Sequence, residues 1–209
     1  VISMIYMTVY GMVDGIFVSR LINTLALSSV NIVMPLITLA TSLGMMLATG
    51  GSAIVGKLIG ERNNKKARQT FSLMVVIAFL GGLVIAILGI VFIRPILLFL
   101  GANEEIYHYC FDYAFSIVLF FPMSSMGMVF HVFFITAGTA PLGMVANIAG
   151  GLVNIIFDYV FRKVLGMGMA GAAIATSMGF AITTIAGLAY FSIKRKKVLY
   201  LVKPVLDKK

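Results

Sequence analysis

The residues with chemistry to offer are few, and most stand in apolar surroundings. Asp14 and Asp158 are the only acids clearly inside apolar runs; Glu61, Glu104, Glu105 and Asp207 fall in polar breaks, and Asp112 lies near the outer end of a run. A carboxylate within hydrocarbon is costly unless it is paired, protonated or turned to a wet cavity, so each of the two is a candidate functional group.

Asp158 has two neighbours one helical turn away. Arg162 at i+4 offers an interfacial ion pair, the purely structural alternative, while Asn154 at i−4 puts an amide and a carboxylate on one helix face. Such a pair supplies hard oxygen ligands for a small cation. Asp14 has Arg20 as its nearest cation in sequence, six residues on and off its face; bonding to neighbouring backbone or hydroxyls is the structural alternative there. At 1.5 Å per residue, both acids fall within roughly 10 Å of one level, and Thr176 lies about 13 Å deep, within reach of the same chamber. A desolvated acid exchanges a proton near neutral pH, and oxygen ligands beside it could take sodium instead. Where substrate and ion favour different states of the chamber, or compete for one, ion movement drives substrate movement.

Other polar or adaptable residues offer weaker leads. Asn31 and Pro35 stand one turn apart, where the proline frees a carbonyl, so the pair reads either as a kink or as cavity lining. Met34 beside them is one of 14 methionines, a side chain that yields to varied ligands. With Tyr10 in the first run, these three are the substrate-path candidates. His131 could relay protons or simply pack. His108 and His131 lack metalloprotease spacing and Cys110 has no evident partner, which argues against an enzyme, a disulfide or a resident metal cofactor.

The elements that must position these groups are membrane helices. With 61% hydrophobic residues, 11% charged residues and a mean hydropathy of +1.07, the chain has too little polar surface for a water-soluble globule. Its apolar runs are long and continuous, unlike the alternating segments of a barrel. Charges, prolines and glycines divide it into six helices over about 1–20, 27–56, 70–93, 106–136, 141–161 and 167–193, with Pro35 and Pro122 inside the second and fourth. Residues 194–209 form a basic linker.

The formal net charge of +9 does not point to nucleic acid, because 12 of the 16 lysines and arginines sit in two clusters, at 57–68 and 194–209. Four crossings separate the clusters, so they share a side, and the positive-inside rule makes that side cytoplasmic. The breaks near Arg20, Glu104 and Arg162 then lie outside. Because the chain opens at Val1 within an apolar run and closes at Lys209 just past basic residues, it is expected to be a fragment.

Several motifs resemble the multidrug and toxic compound extrusion (MATE) family. They are residues 10–20 (Tyr-Gly-Met-Val-Asp-Gly-Ile-Phe-Val-Ser-Arg), Pro35, Gly50-Gly51-Ser52, residues 60–67 (Gly-Glu-Arg-Asn-Asn-Lys-Lys-Ala), residues 154–158 (Asn-Ile-Ile-Phe-Asp) and residues 168–176 (Gly-Met-Ala-Gly-Ala-Ala-Ile-Ala-Thr). The resemblance implies twelve helices in two six-helix lobes, a substrate path between the lobes, and a cation site within the N-terminal lobe, which this chain would be. The missing C-terminal lobe would then be its main protein partner. By motif, the cation site would comprise Asp14, Asn154, Asp158 and Thr176. Two acids in one lobe is similar to the prokaryotic branch related to DNA-damage-inducible transporters. The chain departs from many relatives at Phe157 and Tyr159, where those carry an aliphatic residue and a proline, and this bears on the local backbone.

The expected function is a multi-pass antiporter of the cell (inner) membrane, driven by H+ or Na+ and exporting small amphipathic, often cationic, drug-like compounds. A flippase for lipid-linked oligosaccharides, or a non-transporting receptor or assembly subunit, are the alternatives.

Overall fold

The computed structural model describes residues 24–193 and 198–202, with residues 24–27 as backbone only. The first apolar run, with Tyr10, Asp14 and Arg20, lies outside the described residues. Among those described, the ordered elements are helical: α1 Thr24–Gly60, α2 Asn64–Val91, α3 Ile93–Phe99, α4 Glu104–Leu119, α5 Phe121–Thr136, α6 Ala140–Tyr159 continuing into a π-helical turn Val160–Val164, and α7 Gly168–Ser192. Among the described residues four helices are long and apolar enough to cross a membrane, and α4 and α5, bent by 56° at their junction, are so when taken together.

Proline and local caps explain these breaks. Pro122 has no N–H to give the preceding turn, so the run expected as one helix over 106–136 becomes α4 and α5. Asn103 caps α4, its side chain accepting from Ile106 N at 3.1 Å, and Asn63 caps α2 by accepting from Lys66 N at 3.3 Å. The α1–α2 turn closes with Asn63 N donating to Leu58 O (2.9 Å) and Arg62 N to Ile59 O (3.0 Å). This Schellman geometry puts Arg62 in the left-handed region at φ 59°, a place usually given to glycine.

Side-chain size is distributed as lipid solvent demands. On α2 the buried positions include Ala67, Ser72, Ala78, Gly82, Ala86 and Gly89, while Leu80, Leu83, Val84, Ile87 and Leu88 are exposed. Small residues bring helices together and large apolar ones face outward, because hydrocarbon gives Leu no reason to hide. A Cβ on Gly82 would stand 2.8 Å from Pro122 Cα, so α2 lies directly against the α4–α5 bend. There Ser125 Oγ donates to Ala78 O at 2.8 Å.

Two packed clusters fasten opposite ends of the bundle. One joins Val30 and Val33 of α1 to Leu97, Cys110, Tyr113 and Ala114, and to Met169, Ala172 and Ala173 of α7. The other stacks Phe71, Phe130, Phe133, Phe134 and Phe191, with Phe71 4.8 Å from both Phe133 and Phe191 by ring centroid. Residues 198–202 strap back over this second end. Leu199 is buried, Leu201 N donates to Phe191 O (2.8 Å) and Val202 N to Ser72 Oγ (2.8 Å). Arg68 donates to Val198 O (2.9 Å) and Tyr200 Oη (3.0 Å), its guanidinium 4.2 Å from the Tyr200 ring. The loop after α1 and the segment after α7 therefore occupy the same end.

Candidate functional site

Helices α6 and α7 pack antiparallel along much of their length. Gly143, Ala146, Gly150, Asn154 and Asp158 recur every three or four residues on the buried face of α6. Close approach is set at Gly150 and Gly179: a Cβ on Gly150 would lie 2.5 Å from Gly179 O, and one on Gly179 would lie 3.3 Å from Asn154 Cβ. At that spacing short polar side chains meet across the interface. Thr183 Oγ1 donates to Asn147 Oδ1 at 3.4 Å, and two turns along α6 Asn154 Nδ2 donates to Thr176 Oγ1 at 3.2 Å.

The Asn154–Thr176 contact has a definite polarity. Thr176 has one hydroxyl proton, and it goes to Ala172 O at 3.1 Å. The hydroxyl oxygen is thus an acceptor for Asn154, which must present Nδ2 to it. That leaves Asn154 Oδ1, on a residue only 1% exposed, without a hydrogen-bond donor among the described residues. A buried amide oxygen of this kind accommodates a small cation or a water.

One turn further, Asp158 Oδ1 accepts from Arg162 Nη2 at 2.7 Å, with both side chains 1% exposed. The sequence reading puts this pair at the interface with water. In the structure it is within the protein, on the π-helical turn that ends α6, where Leu165 N reaches back to Val160 O at 3.0 Å. π-helical turns are rare, and those inserted within α-helices are frequent at functional sites. Sequence reasoning missed Arg162 as a site residue; its i+4 spacing from Asp158 was the available signal. Asn147 and Thr183 were also missed, being unremarkable polar residues until the helices are paired.

The MatE family profile matches residues 1–160, more than half of the chain. This protein belongs to the MATE family. Among its relatives, the multidrug export protein MepA of Staphylococcus haemolyticus is 25% identical over 195 residues, covering 93% of this chain and 43% of MepA. The probable multidrug resistance protein YoeA of Bacillus subtilis is 27% identical over 213 residues, covering 98% and 45%. An outward-facing multidrug resistance MATE transporter of the MOP superfamily superimposes with a TM-score of 0.90 at 25% identity, over 97% of this chain and 45% of that one. An inward-facing MATE transporter gives 0.86 at 25% identity, over 93% and 44%. The chain therefore spans less than half the length of the relatives it matches. The family is one of transporters and not of enzymes.

The remaining candidates of this MATE chain lie elsewhere. Asn31, Met34 and Pro35 are on α1, which packs against α2, α4 and α5, and all three are exposed. Asn31 and Met34 begin an exposed stripe at helical spacing that continues through Thr38, Ser42, Met45 and Thr49. Pro35 borders a separate cleft of about 820 Å³ between α1, α2, α3 and α4, whose lining is apolar throughout, as at Leu39, Leu88, Phe92 and Ile117. His131 sits half-buried on α5, and Cys110 is buried with Sγ 4.0 Å from Ser29 O. Among the described residues no group of three or more His, Cys, Asp or Glu is placed to hold a metal ion.

Proposed function

We propose that the protein is the N-terminal lobe of a cation-coupled antiporter that exports small amphipathic, often cationic compounds. The observation that carries this reading is the buried polar cluster between α6 and α7: a buried carboxylate at Asp158, one turn from an amide oxygen at Asn154 whose orientation is set by Thr176. Asp14, by sequence motif, completes the set. Protons or sodium entering there neutralise negative charge in a low-dielectric site, and a cation that binds one state of the lobe better than the other shifts the equilibrium between states. The exposed stripe of α1, built from Asn, Met, Thr and Ser, supplies the substrate face. Its Thr49 hydroxyl satisfies itself on Met45 O at 2.8 Å, and its thioethers adapt to varied ligands. The names of the relatives, one speaking of multidrug export and the other of multidrug resistance, fit this substrate class.

On this reading the second lobe packs against that stripe, and the end holding Arg68 and Tyr200 faces the cytoplasm, as the clustering of lysine and arginine requires. The test is efflux of a fluorescent organic cation from vesicles containing the full-length transporter, under an imposed proton or sodium gradient. Gradient-dependent efflux supports the reading, and efflux indifferent to both gradients contradicts it.

A further inference from the structure

We propose that the exposed face of α2 seats an anionic phospholipid. Lys65 and Lys66, with Arg62 in the adjoining turn, hold its phosphate, and its acyl chains lie along the apolar residues further down the helix. This surface is separate from the α6–α7 cluster and does not depend on the coupling reading.

Residue spacing builds the surface. With about 3.6 residues per turn, Lys65 and Lys66 head the same side of α2 as Ile77, Leu80, Val84 and Ile87, and all six are exposed. The opposite side carries Ala78, Gly82 and Gly89, and there α2 packs closely: a Cβ on Gly82 would stand 2.8 Å from Pro122 Cα, and one on Gly89 would stand 2.8 Å from Val118 Cγ1. Depth fits as well. The 28 residues of α2 measure about 42 Å at 1.5 Å per residue, and a bilayer with both headgroup layers is roughly 40–45 Å thick. With the apolar stripe in hydrocarbon, the two lysines stand at headgroup level.

The protein does not answer these cations itself. Glu61, the nearest acid in the chain, is engaged by Lys57 at 3.8 Å, and Arg62, Lys65 and Lys66 make no ion pair among the described residues. The first turn of α2 contains no acid, although the positive end of a helix dipole favours acids and disfavours lysine there. Cations are thus kept where the helix alone would reject them, and an external anion offsets both charges. A soluble anion would meet the charge and leave the apolar stripe beneath it unused. A phospholipid matches both halves, as polybasic segments at a membrane surface match anionic headgroups.

The experiment follows thermal unfolding of the full-length transporter in neutral detergent with added phosphatidylglycerol, phosphatidylcholine of the same chains, or sodium phosphate. A ligand of the folded state raises the melting temperature. Phosphatidylglycerol should raise that of wild type by several degrees more than phosphatidylcholine, and Lys65→Gln/Lys66→Gln should lose at least half of this difference. Without lipid, the double variant should melt no lower than wild type, since it sheds cations from the positive end of a helix. Arg94→Gln removes an exposed cation beyond the other end of α2 and should leave the response unchanged. If the double variant does not fold, Lys65→Gln and Lys66→Gln decide singly, each with a reduced response expected. Equal effects of the two lipids on wild type, an undiminished response in the lysine variants, or an equal loss in Arg94→Gln overturns the proposal. A matching rise with sodium phosphate overturns it in favour of a free anion. None of these outcomes bears on the transport reading, which gradient-driven efflux tests separately.

Discussion

Thr176 Oγ1 receives Asn154 Nδ2 at 3.2 Å while giving its own proton to Ala172 O at 3.1 Å, and this arrangement directs the Asn154 carbonyl oxygen away from α7's hydroxyl. Thr176→Val keeps the shape and removes the acceptor. A buried amide N–H left without a partner costs about 1–3 kcal/mol, so the full-length transporter should unfold at lower temperature in detergent. Thr176→Ser should retain most of the stability, which thermal denaturation of the three proteins checks.

Close packing of α6 on α7 depends on Gly150. An alanine there places its Cβ 2.5 Å from Gly179 O, a clash only helix separation relieves. Overpacking of this sort costs about 1–3 kcal/mol, and the Asn154–Thr176 contact should lengthen with it. Gly150→Ala is expected to lower thermal stability and gradient-driven efflux together. Gly50→Ala, at a glycine with nothing within 4 Å of its would-be Cβ, serves as the tolerated control.

Arg68 fastens the segment after α7 by two hydrogen bonds and a ring contact with Tyr200. Arg68→Ala should expose residues 198–202 to limited proteolysis severalfold faster. Tyr200→Phe loses one hydrogen bond, worth about 1 kcal/mol, but keeps the ring under the guanidinium and should be cut at an intermediate rate.

Arg62 occupies a left-handed position at φ 59° in the α1–α2 turn, where the equivalent residues of the turns after α3 and α5 are Gly101 and Gly138. The left-handed conformation costs an L-residue about 1–2 kcal/mol, so Arg62→Gly should raise thermal stability by a fraction of that, less the greater freedom of glycine in the unfolded chain. An unchanged or lowered melting temperature would contradict the turn geometry.

Much of the architecture was legible because membrane solvent leaves a coarse signature. Continuous apolar runs announced an all-helical chain, and the motifs around Asn154 and Gly168 pointed to the MATE family that the profile match establishes. Pro122 marked where α4 gives way to α5, although its position alone could not give the 56° bend or the close approach of α2 to it at Gly82. At the site, the one-turn spacing of Asn154, Asp158 and Arg162 put all three on one face. Burial of the ion pair was not legible, because spacing along a helix says nothing of what covers its end. The row Asn147–Thr183 needed the pairing of two helices, set by Gly150 and Gly179, before its polar atoms had any reason to meet.

The central claim, that the polar cluster between α6 and α7 couples ion movement to export, is tested most directly by comparing wild type with Asp158→Asn and Asp14→Asn in vesicles holding the full-length transporter. Fluorescent-cation efflux is measured under imposed proton and sodium gradients at matched protein levels. Loss of gradient-dependent efflux in both variants is the predicted result, and efflux that retains its full gradient dependence in both would contradict the account.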